Sequence, residues 1–152
     1  MYISSGRREF TLSRASRYGL DTTDVSRTVI MSAMAYDVAD TSDLEGAGPG
    51  GMVRFVRKAL GVTAFGINHF TIPPHTEGRE HDHAADGQEE VYVVLAGSGV
   101  MVVDGEEVEL RPGRFLRVDG ASTRKPVSGA DGLEFVTVGA VADGSYEPPP
   151  WG

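Results

Sequence analysis

The chain has 152 residues, of which 40% are hydrophobic and 24% charged, with a formal net charge of −8 at pH 7. This length suits one domain with its own core, and the absence of cysteine excludes a disulfide framework and a thiolate metal site. The acidic balance argues against a nucleic-acid or anionic-membrane surface, and no run approaches the roughly 18 apolar residues of a membrane span. A chain without cysteine fits the reducing cytoplasm, where we expect the protein.

The first thirty residues differ from the rest because they carry five arginines among many serines and threonines, without sustained periodicity. Three acidic residues in this stretch argue against a transit peptide. We interpret residues 1–33 as a disordered tail, or as upstream sequence included by a misassigned start codon, with Met31 or Met34 as the true start. Residues 34–152 then form a single domain.

The beginning of that domain is ambiguous in secondary structure. The segment Tyr36–Ala39 can pair as an edge strand. The segment Met52–Leu60 is compatible with a short helix that ends at Gly61, and its basic residues suit the helix dipole. The same segment is also compatible with a strand, because Val53 and Phe55 favour either state.

The remainder predicts an all-β fold. Twenty glycines and eight prolines separate short apolar runs, and Asp104-Gly105 is a typical two-residue hairpin turn. Strands of this length joined by glycine turns indicate a sandwich or a small barrel. The predicted strands cover residues 62–72, 80–84, 89–96, 99–103, 106–110, 114–118, 123–127 and 133–138.

The four histidines of the chain lie close together, between residues 69 and 83. His81 and His83 are two residues apart, so on an extended segment both side chains point to the same face. Glu90 begins the next strand. Two imidazoles and one carboxylate from adjoining strands can form a facial metal site.

These residues resemble the first motif of the cupin superfamily, G(x)5HxH(x)3-4E(x)6G. His81 and His83 match the histidine pair, and Glu90 with Gly97 matches the end of the motif. Six residues separate His83 from Glu90, more than the family pattern has, and Gln88 stands at the nominal spacing. We choose Glu90 because its distance to Gly97 is that of the family.

The second cupin motif is matched only in its frame, around the turn Arg111-Pro112-Gly113. Its histidine is missing, and Thr123 or Arg124 stands in its place. The resemblance covers roughly residues 61–139 and implies a jelly-roll β-barrel with a short N-terminal helix. It also implies a divalent metal ion (iron, manganese, nickel or zinc) held by His81, His83 and Glu90.

Other polar residues are candidates for contact with a ligand in the barrel. Tyr92 shares the face of Glu90, so its hydroxyl either meets a ligand or only packs. His69 can replace the missing metal ligand if its strand faces the cavity, and otherwise forms a bond within its strand. Gln88 and Arg124 complete the predicted ligand contacts, and Arg124 is one of three arginines that can bind a carboxylate, the others being Arg79 and Arg117.

Three functions remain open at this point. The first is a metal-dependent oxygenase or isomerase that acts on a small polar molecule. The second is a non-catalytic module that binds a small ligand, and the third is a structural cupin without metal. The family also implies a homodimer, in which residues 36–39 or the Pro/Trp tail at residues 147–152 cover a sheet edge.

Overall fold

The computed structural model describes residues 35–142 of the chain. The predicted tail at residues 1–33, the two candidate start codons and the Pro/Trp tail at residues 147–152 therefore lie outside the described residues. Within the described range, no helix has both the length and the hydropathy needed to cross a membrane.

Within residues 35–142, one short helix and six strands follow two single-turn 3-10 helices, Thr41–Asp43 and Pro49–Gly51. The helix α1 spans Val56–Leu60, and Gly61 ends it as predicted, in a left-handed conformation. The strands are β1 (Val53–Arg54), β2 (Gly66–Ile72), β3 (Gln88–Val103), β4 (Glu106–Leu110), β5 (Phe115–Val118) and β6 (Arg124–Val141).

All strand pairs are antiparallel, and the strands are ordered β1-β2-β6-β3-β4, with β5 also paired to β3. The two longest strands, β3 and β6, pair along their lengths from Gln88 opposite Val141 to Val103 opposite Arg124. The predicted all-β fold class, a jelly-roll barrel with one short helix, is confirmed.

The strands β3 and β6 change course together, at the gaps between the strands predicted at residues 89–96 and 99–103 and at residues 123–127 and 133–138. The register of their pairing shifts on either side of Gly97, which has a φ of +78°. A Cβ atom at Gly97 would lie 2.2 Å from the carbonyl oxygen of Gly132, so the two backbones touch at this bend. The four predicted strands at residues 89–96, 99–103, 123–127 and 133–138 are therefore halves of two continuous strands.

Alternate residues of the long strands form the core, as the period of two requires. The aromatic rings of Phe70 and Phe135 stack with centroids 4.9 Å apart, and Tyr92 packs on Phe135 at 5.6 Å. The buried hydrophobic residues are Ile72, Tyr92, Val94, Met101, Leu110, Val118, Leu133 and Phe135.

Three local predictions differ from the structure. Residues 36–39 form no strand, and residues 52–60 contain both the strand β1 and the helix α1 rather than one element. Residues 80–84 form no strand either and are held to the barrel by a single bridge between His81 and Arg124. Acidic and glycine-rich neighbours interrupt the apolar pattern in these segments, so few side chains are available to bury.

Candidate metal centre

The segment that carries His81 and His83 is fixed to the barrel by backbone hydrogen bonds. The amide of His81 donates to the carbonyl of Arg124 at 3.1 Å, and the amide of Arg124 donates back to the carbonyl of His81 at 2.9 Å. The amide of His83 donates to the carbonyl of Gly120 at 2.9 Å. These bonds hold both histidines beside β6 although no regular strand forms.

The two imidazoles converge on one carboxylate oxygen. The Nε2 atoms of His81 and His83 lie 3.6 Å and 3.5 Å from Oε2 of Glu90. The two rings are perpendicular, with centroids 5.4 Å apart. One ligand atom from each of the three residues lies within 4.8 Å of the others, the spacing of a group that can hold a metal ion.

Hydrogen bonds at the other ring nitrogens orient the imidazoles. Nδ1 of His81 lies 3.2 Å from the carbonyl oxygen of Arg79, and Nδ1 of His83 lies 3.1 Å from the carboxylate of Asp86. Both partners only accept, so each Nδ1 carries the proton and donates it. Each Nε2 is then the ring nitrogen that faces Glu90, the arrangement that metal-binding histidines adopt.

The structure adds Asp86, which the sequence did not single out as a site residue. Although desolvation acts to raise it, the pKa of Asp86 is lowered by hydrogen bonds from Gln88 and His83. The side-chain amide of Gln88 donates to Asp86 at 2.8 Å. Gln88, predicted to touch a ligand, therefore supports His83 through Asp86.

Glu90 is ionised and held by a neutral phenol. Burial acts to raise the pKa of Glu90, but hydrogen bonds from His81 and Tyr92, with the charges of His83 and Arg124, lower it to about 2. The hydroxyl of Tyr92 donates to Oε2 of Glu90 at 2.5 Å. Burial and the charge of Glu90 raise the pKa of Tyr92, so its hydroxyl remains a donor.

Of the two residues that stand where the second motif would have its histidine, Arg124 is the one whose side chain approaches Glu90. Its side chain is fully buried, and its Nη1 donates to the carbonyl of Ser122 at 2.8 Å. Its Nη2 lies 3.3 Å from Oε2 of Glu90, within ion-pair distance but off the hydrogen-bond axis. Among the residues that the structure describes, neither Nη2 nor Nε has a hydrogen-bond partner.

A cavity of about 730 Å³ opens onto the three converging residues. Its inner wall is apolar, with Phe70, Ile72 and Phe135 beside Tyr92 and Thr137. The volume suits a small molecule, and both apolar and polar side chains line the cavity.

Tyr92 lines the cavity, but the other three predicted ligand contacts, Gln88, Arg124 and His69, do not. His69 is on the face of β2 opposite the cavity residue Phe70, and its Nε2 lies 2.7 Å from Glu134, so the prediction that it joins the site is wrong. The alternative, a histidine bonded within its sheet, is what the structure shows. Arg117 is exposed and pairs with Glu89, while Arg79 lines the cavity.

A family model and one curated protein each match part of this chain. The model of the cupin domain family matches residues 68–138. The chain is 34% identical over 76 residues to the dimethylsulfoniopropionate lyase DddW of Ruegeria pomeroyi, which is 50% of this chain and 43% of that protein. The chain therefore spans less than half the length of this curated relative.

Two solved structures share the fold. A cupin protein from Bacteroides fragilis superposes with a TM-score of 0.64 at 20% identity, covering 76% of this chain and 92% of that one. A predicted oxalate decarboxylase from Thermotoga maritima superposes with a TM-score of 0.58 at 22% identity, covering 69% and 99%. At these identities the likeness concerns the fold alone.

Proposed function

This chain contains a cupin domain, and we propose that the domain binds one divalent metal ion and acts on a small polar molecule in its cavity. The ligands are His81, His83 and Glu90. The observation that carries the proposal is the convergence of two imidazole Nε2 atoms on one carboxylate oxygen beside a cavity of about 730 Å³.

The donor set fits iron, manganese, nickel or zinc. Two neutral imidazoles and one carboxylate, with no thiolate, form the set found in non-haem iron sites and in some zinc enzymes. Each donor is oriented by a further hydrogen bond. His83 donates to Asp86, His81 donates to the Arg79 carbonyl, and Glu90 accepts from Tyr92. When bound, the ion supplies Lewis acidity to a polar group of the ligand.

The chain's own residues supply binding and orientation. Phe70 and Phe135 keep water from the inner wall of the cavity, which strengthens electrostatic interactions beside Glu90. The hydroxyl of Tyr92 donates a hydrogen bond to Glu90. Its role is therefore to fix the carboxylate.

The relative in Ruegeria pomeroyi suggests which reaction to assay first. The sequence alone led us to expect an oxygenase or an isomerase, whereas the relative is by name a lyase. A lyase reaction therefore joins the two candidates. Dimethylsulfoniopropionate, a sulfonium compound that carries a carboxylate, is the first substrate to test.

A metal-free cupin that binds a small ligand is the second candidate. It is favoured by Arg124, because the guanidinium already places a positive charge 3.3 Å from the carboxylate that would hold the metal ion. In that case the Glu90–Arg124 pair is structural, and the cavity binds its ligand without metal.

Calorimetric titration of the chelator-treated full chain with each of the four metals separates the two candidates. We expect one equivalent to bind, and His81→Ala/His83→Ala to bind none. His75→Asn is the matched control, because His75 is exposed and asparagine tolerates its positive φ of 53°. Absence of binding to the unmodified chain would reject the metal proposal in favour of the metal-free one.

A further inference from the structure

Arg124 is fixed close to the three converging residues. It is the first residue of β6, and its amide and carbonyl both bond to His81. Its side chain is fully buried and reaches Glu90, with Nη2 3.3 Å from Oε2. The guanidinium therefore approaches the oxygen on which the two imidazoles converge.

The charges around this oxygen do not balance when a metal ion is bound. A guanidinium stays protonated in proteins. A divalent ion and Arg124 together bring three positive charges against the one negative charge of Glu90, because ligating imidazoles are neutral. A histidine at the position of Arg124 would leave one positive charge fewer.

Nearby acidic residues do not compensate this excess. Glu77 pairs with Lys125 at 2.8 Å, and Asp82 and Asp86 are exposed at the mouth of the cavity. Exposed charges are screened by water and salt, whereas the Arg124 side chain reaches no solvent. Two of its nitrogens also lack hydrogen-bond partners among the described residues, so a further negative charge nearby would stabilise it.

We propose that Arg124 makes the cavity select a small carboxylate anion over a neutral molecule of the same shape. The inference rests on the proposed function, since it concerns a ligand beside the bound ion. Because Arg124 is not on the cavity wall, it acts through its charge across Glu90 and is a positioning residue. Charges separated by a few ångströms in a partly buried site interact strongly enough for at least about a tenfold effect on affinity.

Cobalt gives a readout that does not depend on activity. The full chain is loaded with Co²⁺ and titrated with propionate and with propionamide, its neutral analogue, while the visible absorption of the cobalt is followed. We expect propionate to bind at least about tenfold more tightly than propionamide. Cobalt itself favours the anion, so the test is the change in this preference: Arg124→Lys, which keeps the charge, should retain it, and Arg124→Met should reduce it.

Two further variants serve as a control and as a replacement. Arg117→Met removes the same charge from an exposed arginine and should keep the full preference. If Arg124→Met does not fold, Arg124→His tests the same point, because a neutral imidazole should allow cobalt to bind and should give a weaker preference for propionate.

The outcomes distinguish the two proposals. A cobalt-loaded Arg124→Met or Arg124→His that still prefers propionate as strongly as the unmodified chain would overturn the role of Arg124 and leave the metal site intact. No cobalt binding by the unmodified chain would overturn both.

Discussion

The hydroxyl of Tyr92 donates a 2.5 Å hydrogen bond to Oε2 of Glu90, two residues earlier on the same strand. Residues i and i+2 of a strand lie on one face, so β3 alone brings this donor to the carboxylate. A carboxylate with one oxygen fixed in this way presents a defined geometry to the two imidazoles.

Replacing Tyr92 by phenylalanine should weaken metal binding while preserving the fold. The variant keeps the ring that packs on Phe135 and removes only the donor to Glu90. Loss of such an outer-shell partner typically costs about 10- to 100-fold in metal affinity. Calorimetry with Zn²⁺ measures it, and Tyr36→Phe at an exposed tyrosine is the control. Equal affinities in Tyr92→Phe and the unmodified chain would show that the hydroxyl does not orient the site.

Asp86→Asn should also weaken the metal site, through His83. An asparagine amide can donate as well as accept, so it no longer fixes the proton on Nδ1 of His83. We expect an affinity lower by about tenfold in the same titration. Asp82→Asn is the control, since Asp82 is in the same acidic loop but accepts only the amide of Ala84. An equal loss in both variants would point to the charge of the loop instead.

Much of the site was predictable because it is local in sequence. The spacing of His81 and His83 places both side chains on one face. Glu90 was identified because its distance to Gly97 is that of the family motif. Asp86 was missed because one aspartate among several acids in a loop has no periodic signature. The incorrect expectation for His69 could have been avoided, since Phe70 and Ile72 mark the inner face of β2 and His69 alternates with them.

The strand boundaries were less predictable because bends depend on a partner. A glycine between two apolar runs indicates a turn when the strand is considered alone. At Gly97 the chain continues as a strand, because it touches the backbone of β6 at Gly132 and pairs with β6 on both sides of a register shift. This contact joins residues distant in sequence, so no local pattern contains it. The Asp104-Gly105 turn, in contrast, is local and was predicted correctly.

A chain that starts at Met34 should be as stable as the full chain. The expectation rests on the aperiodic, arginine-bearing character of residues 1–33, which gives no amphipathic pattern for packing on the barrel. Thermal unfolding of both chains should give melting temperatures within about 2 °C of each other. A change of about 1 kcal/mol in the free energy of unfolding would shift the melting temperature of a domain of this size by about 2 °C or more. A clear drop on truncation would show that the segment packs on the barrel.

We expect a homodimer in solution. The expectation comes from the resemblance to small cupins. Direct pairing of edge strands is not the expected contact, because β1 has two residues and β4 carries three glutamates. The predicted contribution of the tail is tested by deleting residues 147–152. Light scattering at micromolar concentration should give a dimer mass for the full chain, and a monomer mass would refute the dimer. A dimer that persists after the deletion would refute only the role of the tail.

Gly97→Ala should destabilise the barrel much more than Gly105→Ala. Both glycines have positive φ, +78° and +88°, so alanine brings a backbone cost of about 1–2 kcal/mol at either position. A Cβ at Gly105 meets nothing within 4 Å, whereas at Gly97 it would lie 2.2 Å from the backbone of Gly132. The neighbouring atoms belong to backbone that cannot rotate away, so β3 and β6 must separate at their bend.

Chemical denaturation of the two variants isolates the cost of this close approach. Subtracting the loss in Gly105→Ala from the loss in Gly97→Ala removes the shared backbone cost. We expect a remaining difference of more than about 2 kcal/mol, as for other severe steric changes inside a domain. Because the bend positions the part of β3 that carries Glu90 and Tyr92, Gly97→Ala should also bind metal less tightly than Gly105→Ala. Similar stabilities would show that the two strands can separate at the bend with little cost.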